Sequence, residues 1–165
     1  MSGRASALLI VLIFALDQVT KQMIVAGFQL GESLTVIPGF FSITYLRNRG
    51  GAFGLLAELP DAWRVTFFVV FAVATVAALV QVLRGTARAD LVMRLAITSV
   101  IGGAIGNLWD RIRYGEVVDF LDVFVRNWHW PAFNVADSFI SCGVVLIVLG
   151  SMRPARHEGE ALEHE

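Results

Sequence analysis

The hydrophobic positions of this chain form four long apolar stretches, and each approaches the ~20 residues that a helix needs to cross a bilayer. They are residues 5–25, 63–83, 91–109 and 136–152. The alternation of ~10 residues that is typical of transmembrane barrel strands is absent. Polar residues rather than a small-residue cleavage site follow the first stretch, which argues against a signal peptide. The pattern predicts four transmembrane helices in a single membrane-embedded domain, 1–165.

Two long segments, 26–62 and 110–135, are predicted to lie on one side of the membrane. The short segments 1–4 and 84–90 and a polar, disordered tail, 153–165, lie on the other. Arginine is divided equally between the two sides, but the side of the short segments contains fewer residues. The positive-inside rule therefore favours cytoplasmic termini.

Composition supports a membrane protein and excludes several other classes. Apolar residues make up 56% of the chain and charged residues 16%, against ~25% charged in soluble domains. The formal net charge of -1 provides no basic surface for nucleic acid. A single cysteine, Cys142, excludes a disulfide framework, and the histidines show no metal-ligand spacing. We therefore expect no metal, cofactor or nucleic-acid partner.

The first long segment contains two runs of β-branched and aromatic residues, Leu34–Ile37 and Phe40–Leu46, on either side of Pro38-Gly39. This arrangement predicts a short β-hairpin. A short surface helix is predicted over Ala52–Glu58, before Pro60. Tryptophan and tyrosine gather at the same ends of the predicted spans, where their rings favour the headgroup layer. These residues are Trp63, Trp109, Trp128, Trp130, Tyr45 and Tyr114.

Ionisable residues inside a span are costly and are therefore functional candidates. Asp17 and Lys21 are separated by four residues and share one helix face, which also permits a structural ion pair. In the third span, Gly102 and Gly106 form a GxxxG step that allows close approach of another helix. Further candidates follow on this helix, as polar supports or as a clamp on the next segment. They are Asn107, Asp110 and Arg111.

Two aspartates at the long-segment side have contrasting environments. Asp119 lies among large apolar residues, which favours its protonated form. Asp137 is predicted to occupy the first turn of the fourth helix after an Asn134 N-cap, where the helix dipole favours a charged carboxylate. Such a contrast is typical of acid/base catalysis by two carboxyl groups. A serine–lysine pair, Ser138 with Lys21, is the competing arrangement.

Taken together, these residues resemble the bacterial lipoprotein signal peptidases (signal peptidase II). The resemblance covers about residues 8 to 152, in order and with no departure at a motif position. It lies in Asp17-Gln18-x-x-Lys21, Asn48-Arg49-Gly50-Gly51-Ala52-Phe53, Gly102-Gly103-Ala104-Ile105-Gly106-Asn107-Leu108-Trp109-Asp110-Arg111, Gly115-Glu116-Val117-Val118-Asp119-Phe120 and Phe133-Asn134-Val135-Ala136-Asp137-Ser138.

The resemblance implies an aspartic endopeptidase of the bacterial inner membrane with cytoplasmic termini. It would cut diacylglyceryl-prolipoproteins just before the modified cysteine, among membrane lipids and without a cofactor, and we expect a monomer. The expected fold is an all-α membrane protein with four transmembrane helices, a small periplasmic β-cradle and a short surface helix. By motif position, Asp119 and Asp137 would be catalytic. The supporting residues would be Asp17, Lys21, Asn48, Gly50, Asn107, Arg111 and Asn134.

A small four-helix transporter or assembly subunit is the alternative outside the hydrolases. Transporter sites lie near the bilayer midplane and often arise from repeated halves. Here the polar residues gather at one end of the spans, and the two halves of the chain do not resemble each other.

Overall fold

A computed structural model of the protein describes residues 1–50, 56 and 58–152. Within these residues it contains four α-helices and four β-strands. In chain order they are α1 (Gly3–Gly27), β1 (Ser33–Ile37), β2 (Phe41–Asn48), α2 (Asp61–Gly85), α3 (Leu91–Tyr114), β3 (Val117–Val125), β4 (Trp128–His129) and α4 (Val135–Ser151). The predicted tail, 153–165, and most of the predicted surface helix lie outside the described residues.

The four predicted helices are present, but they differ as candidate spans. Helices α1, α2 and α3 are long and apolar enough to cross a membrane, whereas α4 is a shorter apolar helix of 17 residues. At 1.5 Å per residue it rises about 26 Å. Helix α3 continues to Tyr114, past the predicted end at residue 109, and therefore includes Asp110 and Arg111.

Helix α3 is the central element, and its glycines allow two neighbours to approach closely. A Cβ atom on Gly102 would lie 2.9 Å from Ile13 Cβ of α1, and one on Gly106 would lie 2.5 Å from Asp17 Oδ2. A Cβ atom on Gly103 would collide with the carbonyl oxygen of Ala136 at the start of α4. The predicted GxxxG packing step is confirmed, since Gly102 and Gly106 both face α1.

Helix α3 ends at a glycine for a conformational reason. Gly115 adopts φ +73°, in the left-handed region that residues with a Cβ atom avoid, and its N–H donates to Arg111 O at 3.0 Å. The chain reverses there and enters β3 two residues later. This turn returns the strand that carries Asp119 towards the end of the helix that carries Asn107.

The strands form one antiparallel sheet in the order β1-β2-β3-β4. The predicted hairpin is confirmed, because β1 pairs with β2 with Ser33 opposite Thr44. Strand β3 was not predicted from the sequence; its pairing with β2 sets Asn48 opposite Val117. The expectation of an all-α protein is therefore wrong: the fold is a helical membrane protein with a four-stranded sheet at one end.

The tryptophan and tyrosine residues predicted to lie in the headgroup layer, here called the aromatic belt, differ in exposure. The four tryptophans are exposed, from 46% for Trp109 to 72% for Trp63. Tyr45 is instead buried at 7%, in a cluster with Ile24 and Val118 between the sheet and α1. Its inclusion in the belt was wrong, because its position on β2 turns the ring towards α1.

Candidate active site

The two predicted catalytic aspartates line one cavity of about 1030 Å³. Asp119 comes from β3 and Asp137 from the first turn of α4. Residues of β2 and the C-terminal part of α3 complete the polar wall, namely Asn48, Asn107 and Arg111. Two acids that are 18 positions apart in the sequence are therefore brought to a common space by the turn at Gly115 and the pairing of β3.

Asp119 is buried, at 2% exposure, between the apolar residues that flank it on β3. Its Oδ1 accepts a hydrogen bond from Asn134 Nδ2 at 2.7 Å, and its Oδ2 accepts one from Asn48 Nδ2 at 2.9 Å. Burial and the nearby charge of Asp137 raise the pKa of Asp119 to about 7, although both amide donors oppose the shift. The carboxyl group thus exchanges its proton near neutral pH.

Asp137 is held from two directions at the start of α4. Its backbone N–H donates to Asn134 Oδ1 at 2.9 Å, which confirms the predicted N-cap. Its Oδ1 accepts from Asn107 Nδ2 at 2.7 Å. Because the same Asn134 side chain donates to Asp119, one amide group connects the two acids.

Lys21 determines the orientation of the Asn107 amide. Its Nζ donates to Asn107 Oδ1 at 2.9 Å, which leaves the Asn107 amide nitrogen to face Asp137. The predicted ion pair with Asp17 is confirmed at 2.8 Å, and all three charged side chains of the group are fully buried. The third is Asp110, 3.0 Å from Lys21 Nζ, which the sequence analysis considered only as a clamp on the following segment.

Arg111 links α3 to the loop after β2. Its guanidinium donates to Gly50 O at 3.1 Å and lies 4.6 Å from the centre of the Phe68 ring. Gly50 N–H donates in turn to Asn48 Oδ1 at 3.0 Å. This chain of contacts fixes the Asn48 amide towards Asp119. The remainder of that motif, residues 51–53, lies outside the described residues.

The structure does not bring Ser138 and Lys21 together. Ser138 Oγ donates to Asn134 O at 2.9 Å, whereas Lys21 Nζ is engaged by Asp17, Asp110 and Asn107. An ammonium group held by two carboxylates is a poor general base. The geometry therefore disfavours the serine–lysine arrangement.

Two other side chains have positions that bear on the site. Cys142 is exposed and lines the cavity. His129 lies on the exposed hairpin of β3 and β4, with its Nδ1 2.9 Å from Asp122 Oδ1. Within the described part of the chain, no group of three or more His, Cys, Asp or Glu side chains is placed to hold a metal ion.

Comparison with known proteins gives a consistent result over nearly the whole chain. The family model described as signal peptidase (SPase) II matches residues 9–153. A lipoprotein signal peptidase of Syntrophotalea carbinolica is 46% identical over 156 residues, which are 94% of this chain and 96% of the relative. The corresponding enzyme of Syntrophus aciditrophicus is 45% identical over 147 residues, covering 89% and 91% of the two chains.

A solved structure agrees with the sequence comparisons. A bacterial membrane enzyme determined by the in meso method superimposes with a TM-score of 0.83 at 37% identity, covering 96% of this chain and 94% of that one. The order of motifs, the fold and these relatives lead to one conclusion: the chain belongs to the signal peptidase II family.

Proposed function

We propose that Asp119 and Asp137 are the catalytic pair of a membrane-embedded aspartic endopeptidase that cleaves prolipoproteins just before the diacylglyceryl-modified cysteine. Family membership makes the chain a peptidase of lipoprotein processing and removes the transporter alternative. The observation that carries the residue assignment is the cavity that both aspartates line. Beside it, the Asn134 side chain donates to the Asp119 carboxyl group and accepts from the backbone N–H of Asp137.

The two acids divide the work according to their surroundings. Asp119, with a pKa of about 7, holds a proton near neutral pH and is the general acid. Asp137 accepts a hydrogen bond from the Asn107 amide and lies at the positive end of the α4 dipole, and both interactions favour the charged carboxylate. Asp137 is therefore the general base.

The reaction balances with one water molecule. Asp137 takes a proton from water as the water oxygen bonds to the scissile carbonyl carbon, and Asp119 gives its proton to the carbonyl oxygen. When the tetrahedral intermediate collapses, the C–N bond breaks and Asp137 returns its proton to the amine of the modified cysteine. Asp119 recovers a proton from the gem-diol hydroxyl. Both acids then have their starting protonation states.

The other predicted residues support this pair without taking part in bond changes. Asn48, Asn107 and Asn134 orient the carboxyl oxygens. Arg111 and Gly50 hold the loop that carries Asn48. Lys21, paired with Asp17, acts indirectly, because it fixes the orientation of the Asn107 amide.

The placement in the membrane is also part of the proposal. We take α4 as the fourth span, because it is a predominantly apolar helix whose 17 residues lie at the lower limit for crossing. The N-terminal amine donates to Arg88 O in the α2–α3 connection, and a Cβ atom on Gly150 would lie 3.2 Å from Met93 Cε of α3. The N-terminal end of α1, the α2–α3 connection and the C-terminal end of α4 therefore lie on one side of the bundle. We assign this side to the cytoplasm of a bacterial inner membrane and the side of the sheet to the periplasm.

The shape of the cavity fits a lipid-modified substrate. One wall follows α4 from Asp137 to Cys142, so acyl chains can remain among membrane lipids while the peptide reaches the two acids. We also propose that the enzyme acts as a monomer.

The test is cleavage of a purified diacylglyceryl-prolipoprotein, followed by the mobility shift on gels. Asp119→Asn and Asp137→Asn should each lower kcat by at least ~10³-fold, because either change removes one side of the proton exchange. Ser138→Ala is the matched control, because Ser138 lines the same cavity and its hydroxyl donates to Asn134 O rather than to either aspartate. We expect less than a ~3-fold change in kcat.

Near-normal cleavage by either asparagine variant, with the protein folded, would refute the catalytic pair. Loss of cleavage in Ser138→Ala together with retention in Asp119→Asn would instead support a serine nucleophile.

A further inference from the structure

Two buried carboxylates that are not part of the proposed catalytic pair each accept a hydrogen bond from a backbone N–H. In each case that N–H belongs to the residue just before a catalytic aspartate. Asp17 Oδ1 of α1 accepts from the backbone N–H of Ala136 at 2.9 Å, and Ala136 precedes Asp137. Asp110 Oδ2 of α3 accepts from the backbone N–H of Val118 at 3.1 Å, and Val118 precedes Asp119. Each acid of the proposed catalytic pair therefore has its main chain tied to a carboxylate of a different helix.

These two carboxylates are joined to each other twice. Lys21 Nζ lies 2.8 Å from Asp17 Oδ2 and 3.0 Å from Asp110 Oδ2. Gln18 Nε2 donates to Asp17 Oδ2 at 3.1 Å and to Asp110 Oδ1 at 3.0 Å. We call Asp17, Gln18, Lys21 and Asp110 the bracket. It forms a continuous polar connection from Val118 to Ala136.

Burial makes the bracket resistant to replacement by water. Asp17, Lys21, Asp110, Val118 and Ala136 are all 0% exposed. The absence of a side chain at Gly106 allows α1 to come close enough for this, since a Cβ atom there would overlap the Asp17 carboxylate. A backbone N–H or a carboxylate that loses its partner at this depth is costly. This cost keeps the Asp17 and Asp110 carboxylates paired with the N–H groups of Ala136 and Val118.

The bracket also reaches the catalytic pair through a side chain. Lys21 holds Asn107 Oδ1, and Asn107 Nδ2 holds Asp137 Oδ1. The position of Asp137 is therefore fixed at its backbone by Asp17 and at its carboxylate by Lys21 through Asn107. For Asp119, the bracket acts on the backbone: Asp110 accepts a hydrogen bond from the N–H of Val118, the residue before Asp119.

We propose that Asp110 is a positioning residue for the hydrolytic reaction, and that through the bracket it sets the separation and relative orientation of the Asp119 and Asp137 carboxyl groups. The inference rests on the proposed function, because it assigns Asp110 a role only if these two acids are catalytic. Asp110 itself acts through Val118 and touches no reacting atom.

A positioning role has kinetic consequences that a general structural role lacks. A change in the separation of the two acids alters how strongly one charge affects protonation of the other, and thus the pH range of activity. The charged groups facing Asp119 are Asp137 from α4, Lys21 from α1 and Arg111 from α3. Substrate is held by the cavity wall and the lipid, away from the bracket, so KM should remain near its wild-type value.

The experiment uses the full-length enzyme in detergent or lipid, with a diacylglyceryl-prolipoprotein as substrate. Asp110→Asn keeps the shape of the side chain but removes its charge, and Gln18→Ala removes only the second connection between the carboxylates. We expect kcat to fall ~10- to 100-fold in Asp110→Asn and several-fold in Gln18→Ala, with KM within about 2-fold of wild type. In both variants the midpoint of the pH–rate profile should move.

Thr20→Ala is the matched control, because Thr20 lies on the same helix as Gln18 and its hydroxyl donates to the helix carbonyl oxygens of Leu16 and Asp17. It should retain the wild-type kcat and pH profile. Thermal unfolding of each variant measures how much enzyme is folded. If Asp110→Asn does not fold, Gln18→Ala decides the question, since Gln18 is uncharged and partly exposed.

Wild-type kcat and an unmoved pH midpoint in folded Gln18→Ala and Asp110→Asn would overturn the inference. A loss of activity that only follows the loss of folded protein would overturn it as well. Neither outcome touches the catalytic assignment, which fails only if Asp119→Asn or Asp137→Asn remains active.

Discussion

The protein contains two pairs of aspartates whose neighbours differ: Asp17 and Asp110 are fully buried, whereas Asp119 is buried and Asp137 only partly so. Asp17 and Asp110 have the Lys21 ammonium between them, at 2.8 and 3.0 Å. Asp119 and Asp137 receive their direct hydrogen bonds from uncharged amides of asparagine, within the part of the chain that the structure describes. The first pair is closed to the cavity, whereas the second lines it.

This difference separates a structural use of buried acids from a chemical one. A cation between two buried carboxylates offsets part of the cost of burying their charges, so this group of side chains holds helices α1 and α3 together. Amide donors stabilise less, so the charge of Asp137 and burial together keep the Asp119 pKa near 7. The same residue type thus supports the fold in one place and can exchange protons in the other.

The largest expected effect is on stability, when the cation is removed from the first pair. Lys21→Met leaves two buried carboxylates without a counter-charge and should lower the free energy of unfolding by about 3–5 kcal/mol. Thermal or denaturant unfolding in detergent measures the loss.

Arg88→Met is the control for that substitution, because Arg88 is an exposed cation in the α2–α3 connection. It should change stability by less than about 0.5 kcal/mol. Equal stability of Lys21→Met and Arg88→Met would show that the ion group does not hold the helices together.

A smaller loss of stability is expected when a side chain is added next to Asp17 and the charges of Asp17, Lys21 and Asp110 are kept. Gly106→Ala introduces a Cβ atom 2.5 Å from Asp17 Oδ2, so the buried Asp17 carboxylate, or α1 with it, must shift, at a cost of about 1–3 kcal/mol. Gly27→Ala meets no atom within 4 Å and should be nearly neutral. If the two variants unfold at the same temperature, close approach of α1 at Gly106 is not required.

The smallest effect is a shift in pH dependence at the second pair. Asp119 must be protonated to act as the acid, so activity is expected below its pKa of about 7 and is lost as the pH rises through that value. Asn48 stabilises the charged form, and Asn48→Ala should therefore raise the pKa of Asp119 further. The alkaline limb of the pH–rate profile should move up by about one pH unit.

Thr44→Val, on the same strand but bonded to Glu32 O, is the control and should leave that limb in place. A limb that stays fixed or moves to lower pH in Asn48→Ala would show that Asp119 is not the group that titrates.

Much of the fold could be predicted because its signals are local. Apolar length predicted all four helices, and the runs around Pro38-Gly39 predicted the first hairpin. Asn134 was identified as an N-cap because that interaction spans only three residues, to Asp137 N–H. Strand β3 was not predicted, although its residues 117–125 are largely β-branched and aromatic, because its partner in the sheet is β2, which is remote in the sequence.

The residues of the site could be predicted from the sequence, but the hydrogen bonds that join them could not. The candidate residues recur in family motifs and carry polar groups where these are expensive. Contacts such as Asp110 to Val118 N–H and Asp17 to Ala136 N–H join segments that are remote in the sequence or run in unrelated directions. Tyr45 shows the same limit, because only strand pairing decides which face of β2 is covered by α1.

The sequence alone determined that this chain is a helical membrane protein with acids and amides at one end of its spans, because hydrophobic length and local capping act within a few residues. Tertiary structure decided which acids are neutralised by Lys21 and which face the cavity. That choice depends on helix separations set at Gly102, Gly103 and Gly106 and on the register of β3 against β2, and neither exists until distant segments pack.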